Sequence, residues 1–253
     1  MIIAITNQKG GVGKSTTAIN LAAGLVMEGY QVLLIDLDPQ ANTTKVFIQQ
    51  DDEIPLQRSL YNALMNFYPL ENIIQETSSR NLFLVPSHIR LSGADLELSQ
   101  AMDNRSERLK RALSPIGQRY DYIIIDTPPS LGLLTINALT ASEKLIIPVS
   151  TGFFALTGLV QLRETIQMVK QTQLNPSLSI LGVVCTFLER TNVSKDVEKQ
   201  LQDYFGHQVF NTTIPKNISL EEAHSNHTHI FTYAPKSQGA QAYKALVKEV
   251  LER

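Results

Sequence analysis

The chain has 253 residues, 22 lysines and arginines against 24 aspartates and glutamates, 43% hydrophobic residues and one cysteine. A single cysteine excludes an internal disulfide framework and favours a reducing compartment, so we expect a cytoplasmic protein. The near-neutral charge argues against a dedicated, highly basic nucleic-acid coat. The start lacks the basic region of a signal peptide, and no apolar run approaches the ~18 residues that span a bilayer, so no membrane segment is expected.

Short runs of isoleucine, leucine and valine recur along the chain and predict strands. These runs are nearly continuous rather than alternating with polar residues, which is typical of strands covered on both faces of a parallel sheet. The predicted strands are residues 1–6, 31–36, 81–85, 122–126, 144–149 and 179–187.

Amphipathic stretches between these runs predict helices. Strands that alternate with helices indicate an α/β fold with a doubly wound, mostly parallel sheet flanked by helices, and ligands bind such folds beyond the carboxyl ends of the strands. We expect one domain over residues 1–253, with an irregular helical insertion at about residues 49–80. The predicted helices are residues 14–28, about 105–119, 131–141, 154–173, 193–205 and 239–251.

A glycine-rich segment, NQKGGVGKST at residues 7–16, joins the first predicted strand to the first predicted helix. Glycines let consecutive N–H groups point inward as an anion nest, and the helix N-terminus adds partial positive charge. In such a loop Lys14 reaches the β- and γ-phosphates, the Ser15 hydroxyl binds Mg²⁺ and Thr16 contacts the α-phosphate. The motif therefore predicts an ATP and Mg²⁺ site in which the loop also contributes Gly10, Gly11, Val12 and Gly13.

The loop departs from the standard P-loop pattern, which has a glycine where this chain has Gln8, followed by Lys9. It resembles the deviant Walker A motif, K-G-G-x-G-K-[ST], of the ParA/MinD superfamily of P-loop ATPases. The resemblance implies that Lys9 reaches across a dimer interface to the nucleotide of the other subunit, and that Lys9 and Lys14 act in catalysis. It also implies a two-fold homodimer that encloses ATP. An exposed loop lysine is the alternative for Lys9.

Three aspartates follow buried strands at the edge of the sheet where the phosphate loop is expected. Asp36 and Asp38 end the second predicted strand, and Asp126 ends the fourth. By resemblance, Asp38 is a catalytic residue that positions the attacking water, and Gln40 binds nucleotide. As a Walker B aspartate, Asp126 would hold Mg²⁺ directly or through water, with Asp36 supporting the Mg²⁺ shell. A capping role before Pro39 is the alternative for Asp38.

Further segments resemble the chromosome and plasmid partition ATPases of the ParA/Soj group. The other branches of the superfamily fit less well, because the iron protein of nitrogenase needs cluster-binding cysteines and Cys185 lies alone in an apolar strand. The sequence begins on its first strand, so we expect no preceding helix-turn-helix. The similar segments are DLDPQANTT at 36–44, VPSHIRLSGADLEL at 85–98, DTPPSLGLLTINA at 126–138 and IPKNISLEEA at 214–223.

Proteins like MinD end in an amphipathic membrane helix, and the last predicted helix here also has an apolar stripe. A helix that covers the sheet needs the same stripe, so we expect core packing, with membrane association as the alternative. The stripe consists of Ala240, Tyr243, Val247, Val250 and Leu251.

The resemblance also implies non-specific DNA binding by basic residues on the surface of the ATP-bound dimer. Residues 104–113 hold four basic side chains against Glu107, a run that is also typical of a solvated face. Many partition ATPases have an arginine soon after I-P-[KR]-N, where this chain has Ser219, so the prediction moves to other positions. The predicted DNA contacts are Arg190, Lys195, Lys199, Lys216, Arg105, Arg108 and Arg111.

Adenine recognition is implied by the same resemblance. The loop of Pro215, Lys216 and Asn217, and the strand end at Thr186 and Phe187, would flank the base. The nearby histidines, His224, His227 and His229, are spaced by three and two residues, and we expect a polar surface loop here rather than a metal site.

Together these features predict a Mg²⁺-dependent ATPase that dimerises on ATP, binds nucleoid DNA and is released when a partner stimulates hydrolysis. The predicted cargo is a chromosome or plasmid, bound through a ParB-like adaptor. A protein organelle such as the carboxysome, positioned through a McdB-like adaptor as by McdA proteins, is the alternative.

Overall fold

The computed structural model describes residues 1–48, 54–150, 157–189 and 191–253. Within them, strands contribute to one sheet whose carboxyl edge carries the glycine-rich loop. The strands are β1 Ile2–Ile5, β2 Val32–Asp36, β3 Gln75–Glu76, β4 Leu82–Val85, β5 Tyr122–Asp126, β6 Lys144–Ser150, β7 Ser179–Leu188 and β8 Ile214–Pro215.

The sheet has the strand order β3-β4-β2-β5-β1-β6-β7-β8. Among the described strands the pairing is parallel from β4 to β8, and the short edge strand β3 pairs antiparallel with β4. All residues of β2 are buried, as the continuous apolar run predicts for a central strand. The doubly wound, mostly parallel α/β fold is therefore confirmed.

Helices cover both faces of the sheet and form two apolar clusters, one on each side. One cluster contains α1 and the helices near the C-terminus, and the other contains α3 to α8. The helices are α1 Lys14–Met27, α2 Asn42–Phe47, α3 Leu60–Asn66, α4 Ala94–Gln100, α5 Arg108–Leu113, α6 Leu133–Ala141, α7 Thr157–Gln171, α8 Asn192–Phe205, α9 Ile218–Ser225, α10 Ile230–Tyr233 and α11 Gln238–Leu251.

The predicted helix at residues 105–119 was too long. Only α5 is helical there, followed by a 3₁₀ turn at Gly117–Arg119. Pro115 explains the early end, because proline has no backbone N–H to continue the hydrogen bonds of α5. Residues 154–156 of another predicted helix, and residues 49–53 of the predicted insertion, lie outside the described residues.

The apolar stripe of α11 is buried, as predicted for a helix that covers the sheet. Tyr243, Val247 and Val250 are at most 3% exposed. Gly24 of α1 has no side chain, and a Cβ atom there would collide with Val247, so the two helices approach closely at this point. In the described parts of the chain, no helix is both long and apolar enough to cross a bilayer.

Candidate functional site

The glycine-rich loop leaves β1 and enters α1 with backbone angles that favour glycine. Gly11 and Gly13 have φ values of 69° and 81°, in the left-handed region that side-chain-bearing residues rarely adopt. The residue before α1 is Gly13, which has no side chain that could cap the helix N-terminus. Because the first N–H groups of a helix have no intrahelical acceptors, they are available to an anion in the loop.

The side chains of Asn7 and Thr186 hold the loop in place. The Asn7 amide donates to the Pro148 carbonyl at 2.8 Å, and its Oδ1 accepts a hydrogen bond from the Lys9 N–H at 3.0 Å. The Thr186 hydroxyl donates to the Val12 carbonyl at 2.8 Å. Asn7 was not among the predicted site residues, although its side chain joins the Lys9 N–H to the Pro148 carbonyl.

We expect Gly13→Ala to weaken ATP binding by about tenfold or more, because left-handed backbone is costly for alanine and a change of ~1.4 kcal/mol is tenfold in affinity. A Cβ atom at this position would also lie 3.2 Å from the Phe187 ring. ATP titration of the purified variant measures the effect. Gly29→Ala is the matched control, because Gly29 also has positive φ but open space around it. Equal loss of binding in both variants would contradict a local role for Gly13.

The Lys14 side chain folds back into the phosphate loop. Its side chain is buried, and its Nζ donates to the Lys9 carbonyl at 2.9 Å. Burial lowers the pKa of Lys14, while the charges of Asp126 and Asp38 raise it. The ammonium group therefore lies among the glycine-rich loop and two of the predicted carboxylates.

The strand register brings two aspartates side by side. Asp36 pairs with Asp126 across β2 and β5, and Ile5 pairs with Asp126 from β1. Asp36 Oδ2 accepts hydrogen bonds from the backbone N–H and the hydroxyl of Thr44, both at 2.7 Å. Burial, aided by the charge of Asp126, raises the pKa of Asp36.

Asp126 retains one oxygen that no described residue satisfies. Its Oδ2 accepts a hydrogen bond from the Thr43 hydroxyl at 2.8 Å, whereas its buried Oδ1 has no hydrogen-bond partner within the described ranges. Burial raises the pKa of this carboxyl, and the Ser15 and Thr43 hydroxyls oppose that shift. Mg²⁺ prefers oxygen ligands of this kind, so the free oxygen fits a metal held between Asp126 and Ser15.

A pocket of about 500 Å³ opens over the loop. Asp38 faces it, and Asp38 Oδ1 also accepts a hydrogen bond from the Gln40 N–H at 2.9 Å. The Asp38 side chain thus makes the local capping contact that was the alternative interpretation, and it also lines the pocket. The lining residues are Gly10, Gly11, Gly13, Lys14, Ser15, Thr16, Asp38, Gln40, Asn42, Lys45, Val46, Pro129, Phe187, His224 and Ser225.

Several predicted nucleotide residues lie beside this pocket rather than in its wall. Lys9 and Val12 belong to the loop, but neither is a lining residue. Pro215, Lys216 and Asn217 are also outside the wall, although Pro215 pairs with Leu188 at the strand end that carries Phe187. The pocket wall therefore includes Phe187 but not the loop of Pro215, Lys216 and Asn217.

The prediction that Arg108 contacts DNA is contradicted by its surroundings. Arg108 is 8% exposed, and its guanidinium donates to the Leu64 carbonyl and pairs with Asp103 at 2.7 Å. It also stacks on the Phe67 ring at 4.7 Å. A count of basic residues cannot reveal the Leu64 carbonyl or the Phe67 ring, which come from a distant part of the chain.

The other predicted DNA contacts differ in their surroundings. Arg105, Arg111, Lys195 and Lys199 are exposed, and the last two lie four residues apart on α8. Lys216 is exposed but forms an ion pair with Glu189 at 2.8 Å. Arg190 lies outside the described residues.

The expectation of a polar surface loop for the three histidines was wrong for two of them. His229 is buried, and its Nε2 lies 3.0 Å from the Ser79 hydroxyl. His224 lines the pocket over the phosphate loop, whereas His227 is exposed. No group of three metal-binding side chains occurs in the part of the chain that the structure describes. Their positions depend on the packing of α9 and α10, which local spacing does not show.

Comparisons with known proteins agree with this geometry. Residues 1–180 match the AAA domain family. The sporulation initiation inhibitor protein Soj of Bacillus subtilis is 48% identical over 98% of this chain and 97% of that protein. The chromosome partitioning protein ParA of Myxococcus xanthus is 45% identical over 100% of this chain and 88% of that protein.

Solved structures show the same fold. Cobyrinic acid a,c-diamide synthase from Mycobacterium smegmatis with bound ADP and magnesium has a TM-score of 0.85 and 34% identity, and covers 99% of this chain and 94% of that one. A plasmid partition protein from Borrelia burgdorferi bound to AMPPNP has a TM-score of 0.84 and 28% identity, with 99% and 98% covered. By its full-length similarity to Soj and ParA, the chain belongs to the ParA/Soj family of chromosome-partitioning ATPases.

Proposed function

We propose that this protein is a Mg²⁺-dependent ATPase that forms an ATP-sandwich dimer, binds DNA non-specifically and segregates a chromosome or plasmid over the nucleoid. The observation that carries the proposal is the meeting of the uncapped phosphate loop, Lys14 and Asp38 in one pocket. Asp126 acts on Lys14 through its charge, and its buried Oδ1 has no hydrogen-bond partner among the described residues. Nucleotides bound to solved structures of this fold support ATP and Mg²⁺ as ligands.

The residues divide into binding and chemical roles. Backbone N–H groups of residues 10–16 bind the phosphates, and Lys14 neutralises charge on the β- and γ-phosphates. Ser15 and Asp126 would hold Mg²⁺, which supplies further charge neutralisation when bound. Asp38 orients the attacking water, and Asp36 holds the first turn of α2 by accepting two hydrogen bonds from Thr44. Because phosphoryl transfer depends mostly on positioning and electrostatics, this set is sufficient for hydrolysis.

The proposed dimer assigns Lys9 to the nucleotide of the other subunit. Lys9 is half-buried and lies outside the wall of its own pocket, which supports a role across an interface. A two-fold interface would place both copies of the loop face to face.

We expect Lys9→Ala to bind ATP but to remain monomeric. The substitution keeps the backbone carbonyl that Lys14 contacts, so the loop retains its own support. Light scattering with ATP and Mg²⁺ measures the mass, and ATP titration measures binding. Lys236→Ala, at an exposed position, is the matched control. A Lys9→Ala variant that dimerises like the wild type would contradict the role across the interface.

A DNA-binding measurement tests the proposed interaction of the ATP-bound protein with the nucleoid. Fluorescence anisotropy with a duplex of arbitrary sequence should show binding with ATP but not with ADP, and the affinity should fall steeply as salt rises. The exposed candidates among the described residues are Arg105, Arg111, Lys195 and Lys199. Sedimentation with anionic vesicles, in a protein that ignores DNA, would instead support membrane association.

Similarity favours chromosome or plasmid partition over organelle positioning. The chain is 48% identical to Soj, whereas the Cyanothece McdA structure is 24% identical and shows the fold alone. A neighbouring gene for a ParB-like DNA reader would support this cargo, and the adaptor it encodes should stimulate hydrolysis. A gene for a McdB-like adaptor in that place would support organelle positioning.

A further inference from the structure

Another pocket is formed by α3, α5 and the segments that follow these two helices. Its volume is about 250 Å³, and it shares no lining residue with the pocket over the phosphate loop. Because small-molecule sites usually measure ~300–1,000 Å³, this pocket suits one large side chain better than a cofactor. We call it the α3–α5 groove, and its apolar lining includes Ala63, Leu70, Ala112, Pro115 and Ile116.

Phe67 lines this groove in an unusual backbone conformation. It directly follows α3 with a φ of 54°, in the left-handed region where a helix usually ends on glycine and sometimes on asparagine. The Phe67 side chain is nonetheless 54% exposed, and the next two residues, Tyr68 and Pro69, are exposed as well. The fold thus keeps a large ring in a costly backbone conformation without burying it, which favours a contact with another molecule.

The buried Arg108 fixes the shape of the groove. Its guanidinium donates to the Leu64 carbonyl near the end of α3 at 2.9 Å, and it lies 4.7 Å from the centre of the Phe67 ring. A cation is favourable both at the C-terminus of a helix and over the face of an aromatic ring. Since α5 holds the end of α3 and the Phe67 ring in this way, a ligand would meet a groove that is already formed.

One charge of the groove remains available to a ligand. Arg108 pairs with Asp103 at 2.7 Å, and Glu71 pairs with Arg119 at 2.9 Å, so these four charges cancel in pairs. Arg111 of α5 also lines the groove, is exposed and forms no salt bridge within the described ranges. A matching ligand therefore has an apolar group beside a negative charge.

We propose that the α3–α5 groove docks a segment of a partner protein in which an aromatic side chain lies next to an aspartate or glutamate. The aromatic anchor would fill the groove beside Phe67 and Tyr68, and its acidic neighbour would pair with Arg111. Aromatic residues and arginine are enriched in protein interfaces and among their hot spots. Arg105 and Lys110, the neighbouring cations, do not line the groove, which favours an acidic peptide over the repeated charges of nucleic acid. This docking does not depend on the proposed ATPase activity.

Fluorescence anisotropy with labelled peptides tests the match. The probes are GGEFDGG, GGQFQGG, which lacks the charges, and GGEADGG, which lacks the ring. We expect GGEFDGG to bind at least tenfold more tightly than either of the others, because each of them lacks one matched group. Arg111→Gln should weaken GGEFDGG binding about tenfold, to the level of GGQFQGG, because the lost contact is ionic. Arg80→Gln, at an exposed position, is the matched control.

Phe67→Asn separates docking from folding. Asparagine tolerates the left-handed backbone, so the variant should unfold at about the wild-type temperature while its affinity for GGEFDGG falls about tenfold. A large loss of thermal stability in Phe67→Asn would show that the ring serves the fold instead. Equal affinity of the wild type for the three peptides, or no binding of GGEFDGG, would overturn the docking site.

Two further outcomes would assign the groove to a different occupant and so overturn the proposal. Loss of duplex DNA binding in Phe67→Asn would assign the ring to nucleic acid. A mass that rises with protein concentration in the wild type without nucleotide, but not in Phe67→Asn, would assign the groove to a second copy of the chain.

Discussion

Asp38→Ala should bind ATP normally and hydrolyse it about 10²- to 10⁴-fold more slowly, the usual contribution of a residue that orients or activates the nucleophile. The substitution spares the phosphate loop, which contacts ATP through other residues. The path of the Asp38 backbone should also persist, because the Ser87 hydroxyl donates to its carbonyl at 2.6 Å. Without hydrolysis, the variant should remain a dimer in ATP.

Asp38→Asn separates the chemistry of Asp38 from its local turn. Asparagine can still accept the hydrogen bond from the Gln40 N–H but lacks the carboxylate charge. If Asp38 orients the attacking water, both variants should lose ATP hydrolysis and keep ATP binding. A normal rate in Asp38→Asn would show that only the turn matters. A monomeric Asp38→Ala protein in ATP would contradict the proposed trapped dimer.

Asp126→Asn should abolish Mg²⁺-dependent hydrolysis and yet stabilise the nucleotide-free protein. Burial raises the pKa of Asp126 above its unfolded value, so the charged form is disfavoured in the folded state. Its destabilising contribution therefore appears as pH rises through the unfolded pKa and is complete above the folded one. Asparagine removes that penalty and can still accept the Thr43 hydrogen bond.

Urea denaturation at pH 8 and pH 5 measures this effect. We expect the free energy of unfolding of Asp126→Asn to exceed that of the wild type by about 1–3 kcal/mol at pH 8, and by less at pH 5. With Mg²⁺ and ATP the order should reverse, because a ligand stabilises the protein that binds it more tightly. Asp203→Asn, at an exposed position on α8, is the control. Equal stabilisation of both proteins by Mg²⁺ and ATP would argue against Asp126 as a metal ligand.

The central strands and the phosphate loop could be predicted from the sequence, because each of them is a contiguous segment with a recognisable pattern. The run at Val32–Asp36 predicts a buried parallel strand, and Gly11 and Gly13 adopt the left-handed angles expected of glycine in such a loop. The two-residue strands Gln75–Glu76 and Ile214–Pro215 were missed because such short segments show no periodicity.

The remaining errors arose where distant segments meet. Four basic residues in residues 104–113 suggested a charged surface, but Arg108 turns inward to the Leu64 carbonyl and the Phe67 ring. His224 reaches the pocket because the chain after α9 is tied to α2 and α1, through His227 at the Lys45 carbonyl and the Ile230 N–H at Asn20. A local sequence pattern shows which face of a helix or strand is apolar. The residues that this face contacts are set by the packing of the whole chain.

Mass measurement by light scattering tests the central claim most directly, namely that ATP in this pocket joins two copies of the chain. The wild type should be monomeric without nucleotide and with ADP, and should reach twice that mass with Mg²⁺ and a non-hydrolysable ATP analogue. Lys14→Ala, which removes the buried ammonium group, should stay monomeric throughout. A wild-type mass that does not change with nucleotide, whether monomer or dimer, would contradict the account.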